Sequence, residues 1–592
     1  MLPGIQNWIY KLEEGASVRW IKRITLFLAI LGGVVFYDLR EYRQFTAPEA
    51  MDTAQLARNL AEGRGFTTLF VRPLSLHLVQ SHLQRPDALL RDGHPDLAHP
   101  PLYPLMLAAL MKAAPMPAAV PPDRKFDRYP GDFRIAWFNQ FWFLAGVALV
   151  FRLGRKLFNP SVAWLAAGLM LGSDVFWRFS VSGLSTSFLV ALFLVLALAL
   201  VRVERAEREE DRGAGWFFCR AIWVGLLLGL GALTRYSFAW LAAPVALFFF
   251  WFAPRRRGLL IPVALLAMGL LWTPWLYRNY RLSGALFGTA GYALYMDTAS
   301  YPGTTLERSV HPDPAKINLF SIDDQLRKLT TNGQRVIQDS LPRLGGNWIT
   351  AFFLAGLLVP FRQVAASRIR LFVVCCLPLM ALVQAMGRTY LSQWTPDINS
   401  ENFLVIAAPV VFVLGAGMFH WLLERLQMPF PPLRRWVAVG AGLVFCAPLW
   451  LTLLPPRQSH MAYPPYYPWL IQQMTGLMRP DELMMSDMPW ATAWYGNRQC
   501  LWLTVNPDQD FYAINDFQKP VKGLMLGPVI LEQPFLSQLI KGDERAWGQF
   551  ILRTAVQGRI PPGFPLRHVW TKLLPDYLFL ADFERWSGLD RQ

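Results

Sequence analysis

Cysteine is scarce in this sequence and follows no recognisable pattern. The chain has five cysteines, of which Cys375 and Cys376 are adjacent within an apolar stretch, and it contains no C-x-x-C pair. Disulfide frameworks and structural zinc sites both depend on paired or clustered cysteines. The cysteine content therefore indicates neither kind of site.

Charge is also sparse for a chain of this length. Charged residues make up 17% of the 592 residues, hydrophobic residues make up 54%, and the mean hydropathy is +0.27. This composition is too apolar for a soluble protein and predicts an α-helical polytopic membrane protein.

Basic residues outnumber acidic ones, 57 to 41, a balance that in a soluble protein would suggest nucleic-acid binding. Because Arg and Lys that flank membrane segments account for it here, we expect no nucleic-acid partner.

The apolar residues are concentrated in segments that predict about eleven membrane spans. The first span follows a basic start and lacks a small-residue cleavage site, so we interpret it as an uncleaved membrane anchor. The predicted spans are 24–37, 133–150, 162–176, 188–201, 216–233, 238–252, 259–276, 347–359, 371–386, 403–423 and 436–454.

Arginine is distributed unevenly between the short connections of these spans. Clusters such as residues 255–257 recur on one side, whereas each short connection on the other side holds about one arginine, for example Arg178. Short loops that are rich in basic residues stay in the cytoplasm. We therefore expect the protein to lie in the inner (plasma) membrane with its N-terminus in the cytoplasm. Both long loops, 38–132 and 277–346, and the C-terminal tail would then lie outside.

The sequence changes character after residue 455. We expect residues 1–455 to form the transmembrane domain and residues 456–592 to form a small extracytoplasmic α/β domain. Strands are predicted at 483–486, 500–505, 521–526 and 577–580, with helices at 470–478 and 535–557. This alternation is typical of an α/β layer structure.

The first long loop carries the most informative polar residues. Glu49 and Asp52 precede a predicted helix over 54–61, and His99 precedes two prolines that should begin a second helix over 102–113. Polar groups set against a membrane border often form a site. The alternative is a solvated amphipathic helix, with Asp52 an ordinary first-turn acid and His99 a cap.

Further cations stand at the ends of the later spans. They are Arg235 in LTRYS, Arg278 and Arg281 in PWLYRNYR, and Arg388 in GRTY. Arginines and a histidine around one or two carboxylates would bind an anionic head group and leave an acid free as a base. One arginine at a span end is more often an interfacial anchor, so it is the clustering that favours a site.

Four stretches of the sequence resemble bacterial membrane glycosyltransferases of the GT-C type. The first outer loop of that group is similar to DTAQLARNLAEGRGFTT followed by HPPLYPLMLAAL in this chain. Later segments of the group resemble GLGALTRYSFAWLAAP and TPWLYRNYRLSGALFGT, and part of its C-terminal outer domain resembles SDMPWATAWYGNRQCLWL. The group, similar to glycosyltransferase family 39, contains relatives of the protein O-mannosyltransferases and the aminoarabinose transferases.

The resemblance implies both a fold and a reaction. It implies many membrane helices, two juxtamembrane helices in the first loop, and transfer of a sugar from a polyprenyl-phosphate donor on the outer face, with inversion at the sugar carbon. The acceptor could be a lipid, a glycan or a protein. A transporter would instead need a cavity at the bilayer midplane and internal repeats, and a non-enzymatic scaffold would need no cavity.

The resemblance also implies an acidic base near the start of the first loop. Relatives commonly have two adjacent acids there, whereas this chain has Glu49 followed by Ala50, with Asp52 one helical turn later. We therefore expect Glu49 to be the base, with Asp52 as rival or helper on the same side of the helix. No cofactor or metal ligand is assigned, although two acids could hold a divalent cation. Substrate- or phosphate-binding roles are assigned to Arg58, His99, Tyr103, Arg235, Arg278 and Arg388.

Overall fold

The computed structural model describes most of the chain. The described residues are 16–84, 90, 93–115, 120, 128–209, 212–313, 321–359, 361–426, 431–455, 466–531, 541, 545–556, 559–570 and 577–587.

The described part of the chain is a polytopic bundle of membrane helices, as the composition predicted. Seven helices in it are long and apolar enough to cross a membrane. An eighth span results if Pro432–Phe445 and Ala447–Leu453, which are bent by 55° relative to each other, are counted as one. The seven are Trp20–Arg40, Pro130–Leu157, Thr186–Glu209, Ala214–Ala232, Arg257–Ser283, Val364–Gly387 and Leu404–Arg425.

Three of the eleven predicted spans are shorter helices. They are Pro160–Leu171, Tyr236–Phe252 and Trp348–Leu358, whereas a span needs about 20 residues. The predicted span at 162–176 is interrupted at Gly172 and Ser173, and a separate helix, Asp174–Val181, follows. All eleven segments are helical, but apolar character alone did not show where each helix stops.

In the described part of the first long loop, three helices have described bounds. They are Pro48–Ala61, which we call the loop helix, Pro73–Leu83 and Leu102–Ala113. The last confirms the prediction at 102–113. The loop helix begins six residues earlier than predicted because Pro48 occupies its first turn, where proline is tolerated. Glu49 therefore lies in its first turn and Asp52 one turn later.

The C-terminal segment forms the predicted α/β layer structure around a six-stranded mixed sheet. The sheet order is Phe70–Val71, Cys500–Trp502, Leu483–Ser486, Val521–Leu526, Leu578–Ala581 and His568–Trp570. The first four strands are parallel, and the last two pair antiparallel. The helices between and beside them are Pro468–Gly476, Pro489–Gly496, Gln509–Phe517, Pro528–Leu531 and Arg545–Ile551.

One edge of this sheet comes from the first loop, which the sequence analysis did not predict. Phe70–Val71 pairs in parallel with residues 500–501, so the sheet joins the loop to the C-terminal segment. The predicted helix at 535–557 is seen as Arg545–Ile551 and a π-turn to Val556; residues 532–540 lie outside the described part. The boundary at residue 455 stays a prediction, because residues 456–465 also lie outside it.

The loop helix is held between this α/β layer and the membrane helices. On one side, Arg58 donates to the carbonyl oxygens of Ala493 and Trp494, at 2.6 and 2.7 Å. On the other side, Gly183 packs tightly against it. Its φ is +79°, and an added Cβ would lie 2.6 Å from a carbon of Phe45, so the close approach requires glycine. These contacts fix the position of Glu49 and Asp52.

Candidate active site

A cavity of about 860 Å³ lies beside the loop helix, within the size range of sites that bind drug-sized ligands. Its two ends differ in character. One end is formed mainly by loops and carries the ionisable residues Glu49, Arg72, His99, Arg235, Glu307 and Glu401. The other end is apolar and is lined by Ala239, Trp240, Met268, Trp272, Leu379, Leu382, Val383 and Met386.

The apolar end reaches the lipid-facing surface of the bundle. Trp240 is 57% exposed and Leu382 is 44% exposed, although both line the cavity. They belong to the short apolar helical segment Tyr236–Phe252 and to the candidate span Val364–Gly387. An apolar chain lying among the surrounding lipids could therefore enter the cavity from the side.

Glu49 lines the cavity, and its two carboxylate oxygens differ in their contacts. Its Oε1 accepts hydrogen bonds from the Ser400 hydroxyl at 2.6 Å and from the Ser400 backbone N–H at 3.2 Å. Its Oε2 is buried and has no hydrogen-bond partner among the described residues. One oxygen is thus fixed in orientation, and the other is a buried, unpaired hydrogen-bond acceptor.

Asp52 lies behind the cavity wall and is 1% exposed. Its Oδ2 accepts a hydrogen bond from Arg72 Nη2 at 2.6 Å and lies 3.7 Å from His99 Nε2. Arg72 also lies 3.4 Å from Glu307 and stacks over the Phe70 ring. Burial lowers the pKa of Arg72, but the carboxylates of Asp52 and Glu307 outweigh this effect and raise it. Asp52 therefore keeps a charged arginine at the cavity wall.

His99 is a second cation of this wall. Its backbone N–H donates to Asp96 Oδ2 at 2.9 Å, and its Nδ1 lies 3.3 Å from Asp96 Oδ1. Burial lowers the pKa of His99, yet the carboxylates of Asp52 and Asp96 outweigh it, so the pKa is raised. His99 is therefore more than a helix cap, because it lines the cavity and its raised pKa favours the charged form of its ring.

Arg235 and Tyr103 also line the cavity, in different ways. Arg235 Nη2 donates to the Thr186 hydroxyl at 3.0 Å, and its Nη1 is buried without a partner among the described residues. Tyr103 contributes its ring only, because its single O–H lies between two acceptors, Asn139 Oδ1 at 2.9 Å and the Gly183 carbonyl at 2.8 Å. Of this pair, only Arg235 has a donor without a partner among the described residues.

Three of the predicted binding residues do not line this cavity. Arg58 donates its hydrogen bonds to the backbone carbonyls of Ala493 and Trp494. Arg278 donates to the Asp96 carbonyl at 2.7 Å and stacks on Trp275, so it supports the segment that holds His99. Arg388 donates to Ser392 at 2.8 Å, although its neighbours Gly387 and Thr389 do line the cavity. The structure thus brings together Glu49, Asp52, His99, Tyr103 and Arg235.

The sequence analysis missed three ionisable residues of the cavity, Arg72, Glu307 and Glu401. Glu401 accepts hydrogen bonds from the Thr389 hydroxyl and from its backbone N–H. Burial raises the pKa of Glu401 to about 7, assisted by the charge of Glu49. Glu401 stands directly before an apolar span, as Arg235 does, and this position could have identified Glu401 from the sequence. Arg72 and Glu307 lie within long polar segments that offer no such signal.

The described residues contain no cluster of three or more His, Cys, Asp or Glu side chains that could hold a metal ion. The chemistry that the cavity itself offers is a group of three basic side chains, Arg72, His99 and Arg235, and a carboxylate with one unpaired oxygen, Glu49. Such a group suits an anionic ligand that carries a neighbouring hydroxyl.

Comparison with known proteins agrees with this architecture. Residues 129–277 match the sequence model of a family described as dolichyl-phosphate-mannose-protein mannosyltransferase. A comparison with curated protein sequences gives no match.

Among solved structures, the chain is similar to ArnT from Cupriavidus metallidurans bound to undecaprenyl phosphate. The TM-score is 0.55 at 11% identity, over 96% of this chain and 99% of that one. It is also similar to the Archaeoglobus fulgidus oligosaccharyltransferase in complex with Zn and sulfate, with a TM-score of 0.51 at 12% identity, over 88% of this chain and 70% of that one. A third match is the oligosaccharyltransferase AglB from Archaeoglobus fulgidus in complex with an inhibitory peptide and a dolichol-phosphate. Its TM-score is 0.50 at 11% identity, over 86% of this chain and 70% of that one.

At such low identities these matches establish the fold. The resemblance found in the sequence is thereby confirmed: this chain has the fold of the GT-C type membrane glycosyltransferases.

Proposed function

We propose that this protein transfers a sugar from a polyprenyl-phosphate donor to an acceptor hydroxyl at the outer face of the membrane. The observation that carries the proposal is the two-ended cavity, in which an apolar half formed by membrane helices adjoins Glu49, Arg72, His99 and Arg235. A lipid phosphate has the same division into an apolar chain and an anionic head.

The donor's chain would lie between the membrane-embedded segments, entering beside Trp240 and Leu382. Its phosphate would meet Arg72, His99 and Arg235, whose charges are fixed in place before the donor arrives. Two of the similar structures support this assignment, because they contain undecaprenyl phosphate and dolichol-phosphate.

Glu49 is the base in this proposal. Its unpaired oxygen takes the proton of the acceptor hydroxyl while the hydroxyl oxygen attacks the sugar carbon. The bond between that carbon and the phosphate oxygen breaks, and the electron pair leaves with the lipid phosphate. Charge grows on the phosphate as it leaves, so preorganised cations lower the barrier most at that point. Attack from the side opposite the phosphate inverts the sugar carbon.

Asp52 has a positioning role. It contacts Arg72 and His99 and does not line the cavity, so it acts through those two cations. This division supports Glu49 over Asp52 as the proposed base.

The charged residues also bear on the alternatives. All six acidic and basic lining residues lie outside the seven long helices of the described bundle, whereas a transporter would keep such groups near the bilayer midplane. A scaffold would have no use for the cavity. The location of the charges therefore favours transfer.

The test uses vesicles that contain the purified protein and one labelled polyprenyl-phosphate sugar at a time, with lipid, glycan and protein fractions as acceptors. We expect one donor class to lose its label to one acceptor fraction. Vesicles without the protein are the control. If no donor loses its sugar, or if labelled donor crosses the membrane intact, the proposal is wrong.

A further inference from the structure

The hydroxyl oxygen of Tyr236 accepts two hydrogen bonds from within the protein. The Trp275 indole N–H donates to it at 2.9 Å, and the Asn279 side-chain amide donates to it at 3.0 Å. An indole N–H can only donate, so the Tyr236 oxygen must be the acceptor of the first bond. A phenolic oxygen has at most two acceptor positions, and the two donors fill them.

The direction of the second bond is fixed by Arg278. Asn279 is fully buried, and Arg278 Nη1 donates to its Oδ1 at 2.9 Å. A guanidinium group has no acceptor, so the amide oxygen of Asn279 must face Arg278 and its Nδ2 must face Tyr236. Nδ2 also lies 3.4 Å from the Leu286 carbonyl, as a donor would. Asn279 therefore offers Tyr236 a donor and no acceptor.

The hydroxyl proton of Tyr236 has no acceptor among the residues that the structure describes, because both of its hydrogen bonds are received ones. A hydrogen-bonding group that is left unmatched away from water costs free energy. Tyr236 lines the cavity. Since the protein occupies both acceptor positions of the oxygen and takes no proton from it, the proton is left for a molecule in the cavity.

Tyr236 stands where the polar end of the cavity meets its apolar end. It directly follows Arg235 of the polar end, and the apolar lining residues Ala239 and Trp240 lie one helical turn further along. The Tyr236 ring packs edge-on against Phe287, with 5.6 Å between the ring centres, and Phe287 lines the cavity as well. The side chain of Tyr236 therefore belongs to the border between the two ends.

We propose that the Tyr236 hydroxyl donates a hydrogen bond to an oxygen of the lipid phosphate in the cavity. The inference rests on the proposed function, in which the phosphate joins the apolar chain to the sugar and so lies where the two ends of the cavity meet. A hydroxyl that can only donate suits the oxygen of a phosphodiester, which can only accept. A sugar hydroxyl, which also has a proton to donate, is matched less well.

Tyr236 and Asn279 have different roles in this proposal. Tyr236 contacts the ligand and adds a neutral donor to the basic side chains of the polar end. Asn279 does not line the cavity and is a positioning residue. By presenting a donor to the Tyr236 oxygen, it keeps the hydroxyl proton directed away from the protein.

Binding of two fluorescent lipids to the full-length protein tests the proposal. One lipid is a polyprenyl phosphate, and the other is the corresponding polyprenol, which lacks the phosphate. We expect Tyr236→Phe to lower the affinity for polyprenyl phosphate by about 10-fold or more, as loss of a hydrogen bond to a charged group predicts, and to leave the affinity for polyprenol unchanged. The matched control is Tyr277→Phe, at an exposed tyrosine that does not line the cavity, and it should change neither affinity.

A second variant reverses the hydrogen bond behind the hydroxyl. Asn279→Asp keeps the shape of the side chain and the acceptor for Arg278, but it replaces the Nδ2 donor with an oxygen that can accept the Tyr236 proton. We expect the affinity for polyprenyl phosphate to fall although the hydroxyl is retained. In the Tyr236→Phe background the same change should have a several-fold smaller effect, because no hydroxyl proton remains to be redirected.

The outcomes separate this inference from the proposed function. Equal affinities of the wild type and Tyr236→Phe for polyprenyl phosphate would overturn the inference, and so would an equal loss of affinity for both lipids. An Asn279→Asp effect of the same size in both backgrounds would also overturn it, because the added charge alone would then explain the loss. A wild-type protein that binds polyprenol as tightly as polyprenyl phosphate would instead overturn the proposed function, and the inference with it.

Discussion

Arg72 Nη2 lies 2.6 Å from Asp52 Oδ2, and the same carboxylate oxygen lies 3.7 Å from His99 Nε2. One buried acid therefore holds two cations of the cavity wall. These three residues lie in three separate parts of the first loop, and the acid that faces the cavity, Glu49, lies one turn before Asp52. In the proposed reaction, Asp52 thus holds the cations that bind the anion, and Glu49 removes the proton.

Replacing Asp52 should weaken donor binding more than it slows the transfer step. Asp52→Asn removes one of the two ion pairs that Arg72 makes with described residues and leaves the pair with Glu307. Removing one member of a buried ion pair costs about 3–5 kcal/mol. We expect a lower thermal midpoint and a higher KM for the donor, with a measurable kcat. The midpoint and the kinetic constants are measured on the same preparation. A normal KM would contradict the positioning role.

Replacing Arg235 should weaken donor binding. Arg235→Gln removes a charged donor, and hydrogen bonds to charged groups contribute about 1.5–3 kcal/mol, which corresponds to roughly 10- to 100-fold in affinity. The matched control is Arg281→Gln, another arginine at a span end that does not line the cavity. Binding of a fluorescent polyprenyl phosphate measures both. An equal loss in the two variants would show a general charge effect.

Donor binding should weaken as the pH rises. His99 has a raised pKa, so its charge, and the stability that this charge contributes, are fully present below about pH 6.5, the ordinary pKa of histidine. Both are lost as the pH rises through the higher pKa of the folded protein. His99→Gln should flatten the profile of donor affinity against pH in this range. His82→Gln, at an exposed position of the same loop, is the control and should keep the wild-type profile.

Glu401 should oppose folding when it is charged. Burial raises the pKa of Glu401 from 4.5 to about 7, so the folded state binds the proton more tightly than the unfolded state does. The stability that this proton contributes is fully present below about pH 4.5 and is lost as the pH rises to about 7. Glu401→Gln keeps the neutral shape at every pH. We expect the variant to be more stable than the wild type above pH 7, on the order of 1–3 kcal/mol, and equal to it at acid pH. Thermal unfolding across this pH range checks the prediction.

Much of the fold could be predicted from local signals. Long apolar segments predicted the membrane helices, and short apolar runs predicted the strands at 483–486 and 521–526 at their observed bounds. The strand Phe70–Val71 was not predictable in this way. It has two residues, and it is a strand only because residues 500–501 pair with it from more than 400 positions away.

The candidate site was predictable where charge stands against an apolar segment, as at Glu49, His99 and Arg235. Arg72 joins the site through its ion pair with Asp52, and Glu307 joins it through its contact with Arg72. No local pattern encodes either contact. Arg58 failed to line the cavity for a similar reason, since the carbonyls that bind it belong to Ala493 and Trp494.

The most direct test of the account is a single-turnover transfer assay on Glu49→Gln. The matched control is Glu62→Gln, because Glu62 is an exposed acid directly after the same loop helix and does not line the cavity. We expect Glu49→Gln to bind the donor but to transfer its sugar at least about 100-fold more slowly, as loss of a general base predicts, while Glu62→Gln transfers at the wild-type rate. Transfer by Glu49→Gln at the wild-type rate would contradict the account.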